Sequence, residues 1–346
     1  MAYTDIDRPD LYFNTKLYTG NGSTQSITGV GFQPDWVWLK ARSSAYSHQL
    51  FDVVRGATKL LSSEETSAEQ TLSGVTSFDS DGFAVGSDAG SNNNTTTFAS
   101  WNWLAGNGTA SNSNGSITST VSANTTAGFS IVSYTGTGSN ATVGHGLGST
   151  PKMVICKNRS SGSVGWSSWH TGIGDGNNYI LLNTTQSTLT ASNIWNSTIP
   201  TSSVISVGSH PSTNESGSNM IAYCFAEKKG FSKFGSYTGN GSTDGTFVYT
   251  GFKPAWVMVK RTDSAGEDWN MIDNKRDPFN NGYHQLVANS SNSENTSDTS
   301  RNNFYSNGFK LGTTNGAYNG SGYSYIYMCF AENSFVTSTG IPTTAR

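Results

Sequence analysis

The stretch Trp36-Val37-Trp38-Leu39-Lys40 decides the fold, because it returns twice. Its counterparts are Lys152-Met153-Val154-Ile155-Cys156-Lys157 and Trp256-Val257-Met258-Val259-Lys260. Each follows a Gly/Pro turn: Gly31-Phe32-Gln33-Pro34, Gly148-Ser149-Thr150-Pro151 and Gly251-Phe252-Lys253-Pro254. A short, nearly continuous apolar run after a proline reads as a strand buried on both faces, with the proline where its missing N–H costs little.

Upstream of each strand the motif Tyr18-Thr19-Gly20-Asn21-Gly22 recurs, as Tyr134-Thr135-Gly136-Thr137-Gly138 and Tyr237-Thr238-Gly239-Asn240-Gly241. Downstream lie three apolar strands, at 98–104, 220–226 and 325–331, with Tyr223-Cys224-Phe225-Ala226-Glu227 matching Met328-Cys329-Phe330-Ala331-Glu332. Several motifs recurring in one order imply three diverged copies of a domain of roughly 100 residues. The expected layout is an N-terminal arm at 1–15 and copies at 16–108, 127–229 and 230–338. A flexible Asn/Ser/Thr/Gly-rich linker is expected at 109–126 and a short tail at 339–346.

Within one copy, 51–54, 59–61, 77–85 and 98–104 read as strands, with Asp79-Ser80-Asp81-Gly82 as a hairpin turn. Glu and Ala between Ser63 and Leu72 suggest one helix. Six to eight strands per copy fit an all-β chain of three tandem antiparallel β-sandwiches of jelly-roll or lectin-like type.

Composition narrows the function. The chain has 346 residues, a net charge of −3 and only 12% charged residues, so it lacks the basic face that grips nucleic acid. No apolar run approaches the length of a membrane span, and the polar, acidic start is unlike a signal peptide. Synthesis in a cytoplasm is the expectation. Cys156, Cys224 and Cys329 are few and far apart, which argues for buried, inert thiols rather than a disulfide framework.

Catalytic signals are weak. Glu64-Glu65, Glu267-Asp268 and the Glu227/Glu332 pair are the carboxylates a glycosidase could use, but they do not recur as a set. His48, His145, His170, His210 and His284 have no metal-ligand spacing, so neither a metal nor a cofactor is expected. Asp52 and Arg55, echoed by Asp273 and Lys275-Arg276-Asp277, read as an ion pair pinning a loop. Trp166, Trp169, Trp195 and Trp269 sit in polar, Gly/Ser-rich contexts and are the candidates for stacking on sugar rings; the competing role is burial in a sandwich core. Tyr12 and Phe13, on the expected arm, are candidates for docking on another protein.

A family resemblance rests on Asp5-Ile6-Asp7-Arg8-Pro9, on 12–22, on 31–40 and on Leu50-Phe51-Asp52-Val53-Val54-Arg55-Gly56-Ala57. Ser80-Asp81-Gly82-Phe83 and Trp101-Asn102-Trp103 extend it. The chain resembles an uncharacterised domain family of marine bacteriophages, found in structural proteins and in proteins likened to concanavalin-type lectins. The likeness is close over 1–106, looser in the third copy and weakest in the second, which has Trp169-His170-Thr171-Gly172 where the first has its Asp52–Arg55 motif. It implies a non-enzymatic virion protein, a tail fibre, tail-attached protein or capsid decoration. The implied partners are other virion proteins and, through lectin-like domains, host-surface carbohydrate. Symmetric closure, common among such assemblies, adds the expectation of a homotrimer.

Overall fold

The structure is a computed structural model and describes residues 3–297 and 302–343. It is nearly all β, in antiparallel sheets, with two four-residue helices, Ala89–Asn92 and Pro211–Asn214.

Three larger sheets follow one strand order. In the first segment Phe13–Thr19 pairs with Thr97–Trp103, which pairs with Trp36–Ala41, then Gln49–Asp52 and Gly56–Leu61. The second segment repeats this with Phe129–Thr135, Asn219–Phe225, Met153–Asn158, Ser167–His170 and Asn178–Leu181. The third does so with Ser232–Thr238, Ser324–Ser334, Phe252–Arg261, Asn270–Asp273 and Leu286–Val287. A smaller sheet accompanies each: Gln25–Thr28 with Gly82–Val85 and Val75–Asp79; Ala141–Gly144 with Val204–Val207; and Phe247–Tyr249 with Gly308–Leu311 and Asn302–Tyr305.

Strand periodicity explains why the deciding stretches are apolar throughout. Successive side chains point to opposite faces. Val37 and Leu39 enter a core shared with Phe83 and Val85 of the first small sheet. Val154 and Cys156, and likewise Val257 and Val259, do the same in their own segments. The alternate residues, Trp36 and Trp38, Met153 and Ile155, Trp256 and Met258, enter one common core fed by all three larger sheets. Aromatic rings bridge every boundary there. Trp36 stacks on Tyr223 at 4.5 Å, Phe13 on Phe330 at 5.1 Å, and Phe225 meets Phe330 edge-on at 6.1 Å.

This packing corrects three expectations. The stretch 109–126 is no free linker: Ala110–Asn112 and Ser119–Asn124 extend the second large sheet. The first fifteen residues are no detached arm. Thr4 and Ile6 are buried, and Phe13 opens a strand and sits in the common core. The backbone N–H of Asp5 donates to the Lys229 carbonyl at 2.9 Å, and the Ser338 N–H donates to the Asp7 carboxylate at 2.6 Å, tying the N-terminal stretch to the boundary of the second and third segments and to the end of the third. Of the tail at 339–346, residues 344–346 lie outside the described residues. The helix expected between Ser63 and Leu72 is absent; the stretch ends in the strand Gln70–Thr71. Its polar groups have tertiary partners instead. Glu64 accepts from the His48 N–H at 3.0 Å, and Glu65 from the Ser47 hydroxyl at 2.8 Å. Such contacts override a modest helix propensity.

Candidate functional site

The recurrent Tyr-Thr-Gly motif is a structural lock. In each segment a buried asparagine receives it: Asn92, Asn214 and Asn319. Their Oδ1 atoms accept from the N–H of Asn21 (3.0 Å), Thr137 (2.8 Å) and Asn240 (3.0 Å). Their Nδ2 groups donate to the carbonyls of Ser23, Ser139 and Ser242, and to those of Gly86, Gly208 and Thr313. The motif tyrosines donate to Ser91, Thr213 and Tyr318 carbonyls. A Cβ on Gly20, Gly136 or Gly239 would overlap a carbonyl oxygen of the asparagine-bearing loop, so only glycine fits. The asparagines were not singled out from sequence. Their one signal there is a constant place ahead of the closing strand, the same number of residues before Trp103, Phe225 and Phe330.

A second set of corresponding positions joins the segments. Strand register opposes Trp36 to Asp52, Met153 to His170 and Trp256 to Asp273. Each of these three polar residues is buried and meets the neighbouring segment. Tyr223 Oη donates to Asp52 at 2.8 Å, Trp101 Nε1 donates to Asp273 at 2.9 Å, and His170 Nε2 donates to the Tyr327 carbonyl at 3.1 Å.

Around Asp52 runs a chain of charges. Arg55 pairs with Asp52 with both side chains buried, and approaches Glu69 at 3.3 Å. Arg159 of the second segment grips Glu69 through two bonds, 2.8 and 2.9 Å. The same chain surrounds Asp273: Arg276 at 2.6 Å, Glu294 at 3.0 Å from Arg276, and Arg42 of the first segment on Glu294 at 2.8 Å. Burial by itself disfavours a charged guanidinium, but the carboxylates outweigh it and raise the pKa of Arg55 and of Arg276. The ion pair expected from sequence is therefore a buried junction between segments and not a surface contact.

The third junction has no counterpart of this Arg/carboxylate chain. His170, Ile173, Thr188 and Thr262 occupy the corresponding places, and the backbone bond survives: Thr188 N–H to the Thr262 carbonyl at 3.0 Å, as Glu69 to Arg159 and Glu294 to Arg42 at 2.8 Å. Burial pushes the His170 pKa down to about 4, so the ring is uncharged at neutral pH. Its Nδ1 accepts from Gly172 N–H at 2.9 Å, consistent with one neutral tautomer. Losing the arginines and carboxylates of the chain together avoids stranding one of them in the interior.

The tryptophans nominated for sugar stacking are buried, with exposures of 0% for Trp166, 4% for Trp169, 3% for Trp195 and 2% for Trp269. None offers a ring face to a ligand. Trp166 and Trp269 belong to the junctions: their Nε1 groups donate across to the carbonyls of Ser62 (2.9 Å) and Leu181 (3.0 Å), as His48 Nε2 does to Val287 (2.9 Å). Trp169 and Trp195 fill the second sandwich core. Tyr12 and Phe13 pack within the chain, on Phe231 and Phe330.

The lysines that close the deciding strands, Lys40, Lys157 and Lys260, are fully buried. Lys157 Nζ donates to the Thr66 carbonyl at 2.7 Å, and Lys260 Nζ to that of Thr185 at 3.3 Å, each across a junction. Burial lowers each lysine to about 8. A cation ending an apolar strand three times was legible in the sequence; its destination was not. Cys156, Cys224 and Cys329 are free and buried, and burial pushes Cys156 up to about 12, which leaves the thiol protonated and unreactive.

Among the described residues, no group of three or more His, Cys, Asp or Glu side chains is placed to hold a metal, and no helix is long and apolar enough to cross a membrane. One open feature among the described residues is a cavity of about 360 Å³ on the third segment, lined by Asn302, Asn274, Phe279 and Tyr305 among others.

One family model, described as a domain of unknown function (DUF7483), matches residues 8–334. No curated protein and no solved structure matches the chain.

Proposed function

The chain belongs to the DUF7483 domain family, and from that premise we propose that it is a structural protein of a bacteriophage particle, carried on the tail or capsid surface and made in the host cytoplasm. It works by assembly and recognition and not by catalysis. The single observation that carries this reading is the common aromatic core with its buried polar junctions. That investment favours one rigid body, which suits a particle component better than a catalyst that must open and close. The likeness of 1–106 to phage structural domains supplies the phage context.

The three segments are diverged copies of one sandwich unit, because strand order, register and junction contacts correspond position by position. A chain built so closes three units about a centre by itself. We propose the single chain, in place of the homotrimer expected from symmetry, as the unit that contacts other virion proteins. Mass spectrometry and antibody-labelled imaging of purified particles test the role. Fixed copy number and surface labelling are expected; absence from washed particles overturns it.

A carbohydrate-binding or depolymerising role is the second reading. Incubation with host-surface polysaccharide separates the two forms, since a depolymerase alone releases reducing ends.

A further inference from the structure

The small sheets of the first and third segments share their ladder from the hairpin turn outward as far as a bulge between Val75 and Ser77 in the first, and there the paired residues differ. Val75 pairs with Val85 in the first small sheet, and Asn302 pairs with Leu311 at the corresponding position of the third. Val75 is buried among apolar neighbours. Asn302 is just as buried, at 3% exposure, yet neither its Oδ1 nor its Nδ2 has a hydrogen-bond partner. A buried amide left unmatched on both sides is costly and uncommon in native proteins. Oδ1 of Asn274, also buried, is in the same condition. Both residues line the 360 Å³ cavity.

The backbone changes at the same spot. Leu50 opposes Leu61 across the first segment's corner, whereas Met271 opposes Leu286 across the third's, a connection four residues longer. The extra length carries Phe279, which lines the cavity and is 81% exposed. Tyr305 adds a second partly exposed ring at the rim. The carboxylates at the wall are paired, Glu332 with Lys253 at 2.6 Å, Asp273 with Arg276 at 2.6 Å and Asp277 with His284, while Lys275 lines the cavity as an exposed cation outside these pairs.

We propose that this cavity binds a neutral saccharide. An amide offering an adjacent donor and acceptor complements hydroxyls, each of which also donates and accepts. An exposed aromatic ring suits the apolar C–H face of a pyranose. The paired carboxylates leave no free partner for a cationic ligand, and the one cation outside those pairs, Lys275, is exposed to water, so the buried amides set what is recognised. A cavity of this size accommodates one or two sugar rings. The site lies away from all four tryptophans nominated from sequence, and the proposal stands apart from the particle role.

The test uses the full chain on an array of neutral hexose and N-acetylhexosamine oligosaccharides, followed by calorimetric titration of the strongest binder. Phe279→Ala changes an exposed side chain and Asn302→Val installs the first segment's residue. Both variants are expected to bind about tenfold or more weakly. Asn302→Val is expected to unfold at the same or a higher temperature, because it removes an unmatched amide; that readout separates lost binding from lost folding. No binding by the wild type, or unchanged affinity in either variant, overturns the proposal. Absence from phage particles with saccharide binding intact would overturn the particle role and leave this site standing.

Discussion

Tyr223 Oη donates a 2.8 Å hydrogen bond to the Asp52 carboxylate from a different segment of the chain, and that carboxylate also holds buried Arg55. Nothing in the local sequence of either residue announces the other. The pairing makes the first two segments interdependent, and the Trp101–Asp273 bond does the same for the first and third.

Tyr223→Phe removes one donor and leaves the Asp52–Arg55 pair in place. The expected loss is about 1–3 kcal/mol in urea denaturation. Asp52→Ala strands Arg55 in the interior and costs about 3–5 kcal/mol. Asp52→Asn combined with Arg55→Met should cost less than the two single changes added, as the neutral His170/Ile173 junction implies. Additive losses would show the pair to be uncoupled.

Trp103 sits in the common core against Trp36, Phe13 and Trp256. Trp103→Ala is expected to cost about 3–5 kcal/mol. Because the three larger sheets share this core, the loss should lower one joint transition seen alike by fluorescence and calorimetry. Deletion of residues 1–13 removes Ile6 and Phe13 and should also destabilise the fold. A separate early transition confined to the first segment would refute the shared-core account.

Asn319→Ala leaves the Asn240 N–H and the Ser242 and Thr313 carbonyls short of a partner each. The loss expected in thermal unfolding converted to free energy is about 3 kcal/mol, from several buried groups together. Asn92→Ala and Asn214→Ala should behave alike. A change within about 0.5 kcal/mol in all three, typical of surface positions, would remove the lock from the fold's supports.

Lys157 has its pKa lowered to about 8 in the folded chain, against an ordinary value of 10.5. Between those values the unfolded state holds the extra proton, so this group's contribution to stability rises as pH climbs from about 8 to 10.5. The buried thiols and tyrosines, with raised pKa values, act in the opposite sense at the upper end. The measurement is therefore a difference: wild type should gain on Lys157→Met between pH 7.5 and 10 in urea midpoints. A flat difference contradicts the assignment.

Light scattering on the purified full chain should give the mass of a single chain over a range of concentrations. A stable trimer mass would restore the symmetric oligomer expected from sequence and leave the internal closure without that consequence.

The all-β class, the strands at Trp36–Ala41 and Met153–Asn158, the 256–260 part of Phe252–Arg261 and the Asp79–Gly82 hairpin turn followed from sequence alone, whereas Phe252 to Pro254, expected as a turn, begins the third strand across a bulge. Their signals are local: period-two burial, β-branched and aromatic residues, and turn chemistry each act within a few residues. The sequence also determined that those strands are apolar on both faces. Tertiary structure alone decided what covers the second face. Residue type reports that a ring avoids water and is silent on which neighbour excludes it. Hence Trp166 and Trp269, open from sequence to sugar stacking or to core burial, are junction donors; Phe13, expected on an arm, lies in the core; and 109–126, expected as a linker, contributes two strands to a sheet. Asn302 is the sharpest case: an asparagine near a loop is unremarkable in the chain, and it becomes a candidate binding group only once its pairing position, opposite Leu311, is seen to be one the first segment fills with valine.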